Sequence, residues 1–166
     1  MVFFQSLLAS MNKSIDFCIS ISIFLIMDAK GLNKALVALV EKKNQLSNLN
    51  YADTSYDTVE EELHDLEDKL MDKYGKELEK ALEVVHEEYC SDTEVLLPIA
   101  YIAQKYINKG PNTDGTSIYD VSFKEGVWVD ADKFPGREAR LVILPNPARI
   151  MLMISPDYRL EVWQAN

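Results

Sequence analysis

The sequence predicts an α+β fold in which three helices are followed by a four-stranded antiparallel sheet. Between residues 28 and 110, apolar residues recur every three or four positions, a spacing typical of helices. After the loop 111–117, short apolar runs alternate with turn-forming residues, a pattern typical of strands. A chain in which the helices come first and the strands last is typical of an α+β domain, whereas an α/β domain alternates strands and helices.

The first 26 residues form a separate leader, and residues 27–166 are expected to make a single α+β domain. The stretch IDFCISISIFLIM (15–27) has the length of a signal-peptide core, but it is short for a membrane span. No small-residue cleavage site follows it. Three interpretations stay open: an export signal, a membrane anchor, or residues upstream of a true start at Met27.

The first helix is expected from Asp28, a suitable N-cap, to Leu46. The second is expected from 57 to 90, with capping-box spacing between Thr58 and Glu61. Its apolar residues keep a spacing of three or four straight through Gly75, which favours one long helix over a hairpin, although a bend at the glycine stays open.

A third helix is expected to begin at Pro98 and to stop at Gly110-Pro111. Its inner face would be formed by Ile99, Ile102, Ala103 and Tyr106. The four predicted strands are VWVDA, ARLVILP, ARIMLMIS and YRLEVWQ, and SIYDVSF is a candidate for one more. The short turns between the four strands predict an antiparallel meander.

The second and third of these strands are apolar on nearly every residue, as in 150–154 (IMLMI). An antiparallel strand normally has one wet face, so this run predicts cover on both faces. Helices can cover one face. The other would be covered by the leader, by a second copy of the chain, or by a partner.

The net charge of −10 is concentrated in one segment. Residues 53–94 contain 16 Asp and Glu against four Lys, while the remainder of the chain is slightly basic. Nucleic-acid binding generally requires a basic surface, so it is not expected here. An acidic helix instead suits a basic protein partner.

Two Glu-x-x-His pairs, Glu61 with His64 and Glu83 with His86, match half of the ligand pattern of a carboxylate di-metal centre. A hairpin at Gly75 would bring the two histidines together. Helical geometry, however, places His64 and Glu83 off the apolar stripe, so the pairs are interpreted as a solvated face and no metal is expected. His86 and Cys90 are interpreted likewise as a surface histidine beside a partly buried cysteine.

The best candidates for binding a ligand or partner are Arg149, Arg159, Trp128 and Trp163, because arginine forks bind anions and stack on aromatic rings. Alternation along YRLEVWQ places Trp163 on the face of Arg159. The competing interpretation pairs the arginines with acidic residues of the second helix. Register, and therefore a shared face for the arginines, cannot be fixed from sequence.

No nucleophile motif, phosphate loop or cofactor fingerprint is recognised, so neither catalytic residues nor a cofactor are expected. The preferred hypothesis is a non-catalytic interaction or regulatory module that self-associates, for example as a homodimer, or binds a basic partner. The alternative is a small-molecule-binding or enzymatic domain with a pocket between sheet and helices. A cytoplasmic location is expected, or an exported or membrane-associated one if residues 1–26 act as signal or anchor.

Overall fold

The computed structural model describes residues 27–166, so the predictions for the leader lie outside the described residues. Within this range the fold is α+β, as predicted, with two α-helices, α1 (Ala29–Ser47) and α2 (Tyr56–Tyr89). Six strands follow: β1 (Ile107–Pro111), β2 (Ser117–Asp120), β3 (Val127–Val129), β4 (Ala139–Leu144), β5 (Arg149–Ser155) and β6 (Tyr158–Gln164).

The first helix begins as its sequence predicts. Asp28 is the N-cap of α1 and accepts a hydrogen bond from the Gly31 backbone N–H at 2.9 Å. This bond is the main reason that the pKa of Asp28 lies below its ordinary value. The Tyr74 hydroxyl donates to the same carboxylate at 3.3 Å, which ties the start of α1 to the middle of α2.

The long second helix is confirmed, because α2 is one continuous helix of 34 residues that runs through Gly75. The capping box predicted at Thr58 and Glu61 is wrong, because the helix begins at Tyr56 and Thr58 therefore lies inside it. Ser55 occupies the N-cap without a side-chain hydrogen bond. The buried side of α2 packs on α1, so the two helices share a core of leucines that includes Leu36, Leu39, Leu78 and Leu82.

The third predicted helix is wrong. Pro98–Tyr101 forms only a short 3₁₀ helix, and the chain then becomes extended, with Ile102 bridging to Ile143 of β4. The Tyr106 hydroxyl helps to hold the chain in this extended path, because it donates to the Ile143 carbonyl and accepts from the Ala103 N–H. Gly110, with φ 99°, lies within β1 rather than capping a helix.

The four-stranded antiparallel meander is confirmed in the order β3-β4-β5-β6. The candidate extra strand SIYDVSF supplies β2, which pairs with β1 in a separate two-stranded sheet. Neutral amides join this second sheet to the other elements. Asn33 of α1 accepts from the Asn146 N–H at 2.6 Å, and the Asn146 side chain donates to the Ser117 carbonyl at 2.7 Å.

Both faces of the central strands are buried, as their apolar runs predict. Leu141 and Leu152 on one face, and Val142 and Met153 on the other, are each no more than 1% exposed. This burial occurs in one copy of the chain. The apolar strands therefore do not require a second copy of the chain to cover them.

Candidate functional site

Seven acidic residues lie along one side of the outer surface of α2, with an interruption between Asp72 and Glu79 where Lys76 is exposed beside them. At about 100° per residue they fall within an arc of about 80° around the helix axis, and all seven are exposed. We call this line the acidic stripe, and its members are Asp57, Glu61, Asp65, Asp68, Asp72, Glu79 and Glu83.

The acidic stripe forms no ion pair with α1, whereas two other acidic residues of α2 do. Lys42 pairs with Glu62 at 2.7 Å, and Lys43 pairs with Glu67 at 3.0 Å. Among the described residues, no member of the stripe takes part in an ion pair. The stripe is therefore a concentrated negative surface open to solvent.

An open groove of about 420 Å³ lies between the end of α1 and the start of α2. Tyr51 and Tyr56 stand beside it with their rings stacked, 4.5 Å between centroids. This pair was not predicted from the sequence, although two tyrosines in one polar loop, NLNYADTSY, could have indicated an aromatic contact. We call it the tyrosine groove, and it is lined by Lys43, Leu46, Ser47, Leu49, Asn50, Tyr51, Tyr56, Leu63 and Gln104.

The tyrosine groove lies on the α1 side of α2, because its lining residues Tyr56 and Leu63 fall about 150° around the helix from the middle of the acidic stripe. The pKa of Tyr56 lies above its ordinary value, chiefly because its hydroxyl is hydrogen-bonded to Tyr51. The negative charges of Glu60 and Asp57 contribute further.

His86 is buried, 3% exposed, so its interpretation as part of a solvated face is wrong. Its Nδ1 lies 2.9 Å from the Thr93 carbonyl, and its Nε2 lies 2.9 Å from the Tyr101 hydroxyl. A carbonyl only accepts, so Nδ1 carries the proton and Nε2 accepts from Tyr101, whose oxygen in turn accepts from the Leu96 N–H. The segment after α2 folds back over this side of the helix, which a helical wheel of α2 alone does not show.

The other three members of the two Glu-x-x-His pairs, Glu61, His64 and Glu83, are exposed as expected. Because α2 is continuous, the two pairs stay about 33 Å apart along it, at 1.5 Å per residue. Within residues 27–166, no three His, Cys, Asp or Glu side chains are grouped so as to hold a metal ion.

Cys90 is fully buried rather than partly buried as expected, and His86 beside it is not at the surface. Burial, with a smaller effect from the charge of Asp132, raises the pKa of its thiol to about 11. A thiol of such pKa carries almost no thiolate at neutral pH, which makes Cys90 a packing residue rather than a nucleophile.

The strand register places three of the arginines and one tryptophan on the same face of the sheet. One row across the four strands reads Trp128, Arg140, Met153 and Arg159. Arg149, four residues before Met153 on β5, shares this face because side chains alternate along a strand. Trp163 pairs with Ile150 and lies on the opposite face, because a bulge at Val162 reverses the alternation predicted for β6.

The predicted binding arginines are engaged inside the fold. Arg159 pairs with Asp120 and donates to the Val121 carbonyl at 3.3 Å, while Arg149 lies 3.7 Å from Glu161. Their partners come from β2 and β6, not from α2 as the competing interpretation expected. Trp128, on the edge strand β3, is 49% exposed and Trp163 is half-buried.

Two further clefts lie elsewhere on the described part of the chain. One of about 330 Å³ is lined by residues that include Asp92, Asp130 and Asp132, and one of about 320 Å³ lies beside Asn33 and Asn146. Neither these clefts nor the tyrosine groove is lined by the four candidate residues Arg149, Arg159, Trp128 and Trp163.

Searches against protein-family models, curated proteins and solved structures returned no match for this chain. None of the helices within residues 27–166 combines the length and apolarity needed to cross a bilayer.

Proposed function

We propose that the protein is a non-catalytic interaction module that binds a basic partner along the acidic stripe. The observation that carries this proposal is the line of seven exposed carboxylates without ion-pair partners in the described fold. Complementary charge across an interface speeds association and selects the partner more than it adds affinity. The partner is therefore a protein segment rich in lysine and arginine, bound with strong dependence on salt.

The test compares two triple variants that change net charge equally. In the stripe variant, Asp65, Asp68 and Asp72 become asparagine. In the control variant, Asp92→Asn, Glu94→Gln and Asp130→Asn remove three exposed carboxylates away from the stripe. Fluorescence anisotropy measures the binding of a labelled twelve-residue peptide of alternating lysine and serine at low salt.

The stripe variant loses three exposed charge pairs with the peptide, each contributing about 0.5 kcal/mol to binding. It is therefore expected to bind the peptide about tenfold more weakly. The control variant is expected to change affinity less than twofold. Equal losses in both variants would show that net charge, and not the stripe, attracts the peptide.

Self-association is a second proposal within the same class, and it would use a different surface. Two acidic stripes would repel each other, whereas large apolar side chains are exposed at Leu97, Trp128 and Tyr158. Sedimentation of the chain over a hundredfold range of concentration tests it. A mass of one chain throughout would remove the proposal.

The size of the tyrosine groove favours one further candidate, a small-molecule-binding domain. About 420 Å³ lies within the usual range of ligand pockets, which is about 300 to 1,000 Å³. The groove lies between the two helices, not between the sheet and the helices where the sequence suggested a pocket. Quenching of tyrosine fluorescence during a metabolite screen, lost in a Tyr51→Ser variant, would support this candidate.

A further inference from the structure

The cleft of about 320 Å³ beside Asn33 and Asn146 brings three parts of the fold together. One wall is a side of α1, the second is the start of β2, and the third is the turn between β4 and β5. The cleft shares no residue with the tyrosine groove or with the acidic stripe. We call it the amide cleft, and it is lined by Lys30, Asn33, Lys34, Val37, Glu41, Thr116, Ser117, Tyr119 and Asn146.

Two lysines that line the amide cleft form no ion pair within residues 27–166. Helix α1 contains four lysines, of which Lys42 and Lys43 pair with carboxylates of α2, whereas Lys30 and Lys34 do not pair. The N-cap carboxylate of Asp28 is engaged elsewhere, with the α1 backbone and with α2. Two cations one helical turn apart therefore form a local positive site on a chain whose net charge is −10.

A network of hydrogen bonds fixes the two amides of the cleft and leaves each of them a donor. The Asn146 backbone N–H donates to the Asn33 Oδ1 at 2.6 Å, and the Asn33 Nδ2 donates in return to the Asn146 Oδ1. The Asn146 Nδ2 donates to the Ser117 carbonyl at 2.7 Å. Because a backbone N–H only donates and a carbonyl only accepts, these bonds assign oxygen and nitrogen in both amides. Each Nδ2 has two protons and uses one of them within the described fold, so one proton of each amide is available to a ligand.

The backbone of Asn146 shows that its amide is held in place before a ligand arrives. Its φ of 55° lies in the left-handed region, which asparagine tolerates better than most residues with a Cβ. Asn33 contacts both the backbone and the side chain of Asn146 and thereby stabilises this conformation. A donor fixed in advance avoids part of the ordering cost of binding.

We propose that the amide cleft binds the phosphate group of a small phosphorylated molecule. Lys30 and Lys34 supply positive charge, and the Nδ2 groups of Asn33 and Asn146 supply N–H donors. Lysine binds phosphate as a point charge, whereas recognition of a planar carboxylate usually depends on the arginine fork. The volume lies at the lower end of the range of ligand pockets, about 300 to 1,000 Å³, so the ligand is small.

Glu41 determines which end of the amide cleft takes the phosphate. It lies seven residues beyond Lys34, about 10 Å along α1, and its carboxylate accepts from the Tyr119 hydroxyl at 3.4 Å. A phosphate near this carboxylate would be repelled. The anion is therefore placed at the lysine end, and Glu41 faces the remainder of the ligand.

The experiment titrates the isotope-labelled chain with glycerol phosphate, with inorganic phosphate and with acetate, at constant ionic strength, and follows side-chain amide signals by NMR. Both phosphates are expected to move the Asn33 and Asn146 signals saturably. Lys30→Gln with Lys34→Gln is expected to weaken this binding about tenfold, because two charge-assisted contacts are lost.

A matched control makes the same change of charge at two exposed lysines outside the cleft. Lys105→Gln with Lys124→Gln is expected to change the affinity less than about twofold, since distant exposed charges are screened. Glu41→Gln is expected to bind phosphate equally or more tightly, because a like charge is removed while its side-chain oxygen still accepts from Tyr119. Unchanged backbone spectra of the free variants show that the fold is kept.

Each other outcome overturns part or all of the inference. If neither phosphate moves the two amide signals saturably, or if both lysine pairs weaken binding equally, the amide cleft is not a phosphate site. Acetate that binds as tightly as phosphate overturns the assignment to phosphate. Binding of inorganic phosphate without glycerol phosphate excludes a phosphorylated molecule as the ligand. Weaker binding by Glu41→Gln overturns the placement of the anion at the lysine end.

Discussion

The acidic stripe of α2 and the arginines of the sheet differ in whether their charges are paired within the fold. On the sheet, Arg149 and Arg159 each find a carboxylate within the fold, at Glu161 and Asp120. On α2, the seven acidic residues of the stripe face water with no partner in the described chain. Charges that are satisfied inside a fold hold elements together, whereas unpaired charges of one sign are available to another molecule.

Within the helical part, breaking the hydrogen-bond network of His86 gives the largest expected effect. Tyr101→Phe removes the hydroxyl that serves both the His86 Nε2 and the Leu96 N–H, so two groups lose a partner. The free energy of unfolding is expected to fall by about 2–3 kcal/mol, measured by urea denaturation. Tyr51→Phe, at an exposed ring, is the control. A fall in the free energy of unfolding of less than about 0.5 kcal/mol would mean that a water molecule replaces the hydroxyl as hydrogen-bond partner.

Arg159 tests whether the sheet arginines serve the fold. Arg159→Ala removes the guanidinium from Asp120 and from the Val121 carbonyl, although Asp120 keeps the Val121 N–H and Lys109 as partners. The substitution is expected to lower the free energy of unfolding by about 1–2 kcal/mol. Arg137→Ala removes the same charge at an exposed loop site and is expected to have little effect. Equal stability of the two variants would return Arg159 to the list of candidate binding residues.

The smallest expected effect concerns the acidic stripe, where removing charge should raise the free energy of unfolding instead of lowering it. Asp65→Asn with Asp68→Asn relieves repulsion between like charges three and four residues apart, so the free energy of unfolding should rise by about 0.5 kcal/mol. This gain in stability should vanish at about 1 M salt, where the repulsion between the carboxylates is almost completely screened. Destabilisation by this double variant would show that the two carboxylates have partners in the fold.

The elements that follow from sequence are those whose pattern is long or repeated. The continuous periodicity of α2 outweighs the cost of Gly75, and the short turns between β3 and β6 leave antiparallel pairing as the available arrangement. The acidic stripe can also be read from spacing, because its gaps of three, four and seven residues return to one side of a helix.

The failures share one physical cause, which is that burial depends on neighbours distant in sequence. Ile102, Ala103 and Tyr106 are buried as the third helix required, but they lie extended against β4. His86 is covered by a segment that a wheel of its own helix does not contain. Trp163 lies on the face opposite to the predicted one because β6 has a single extra residue, Val162, in its pairing with β5. The tyrosine groove depends on the path of the loop 48–55, which no periodicity describes.

The amides of Asn33 and Asn146, which connect α1 to the β4–β5 turn and to β2, carry no formal charge. Their hydrogen bonds do not weaken as ionic strength rises, whereas attraction to the acidic stripe does. Raising the salt concentration should therefore detach a cationic partner without breaking these two hydrogen bonds between α1, the β4–β5 turn and β2.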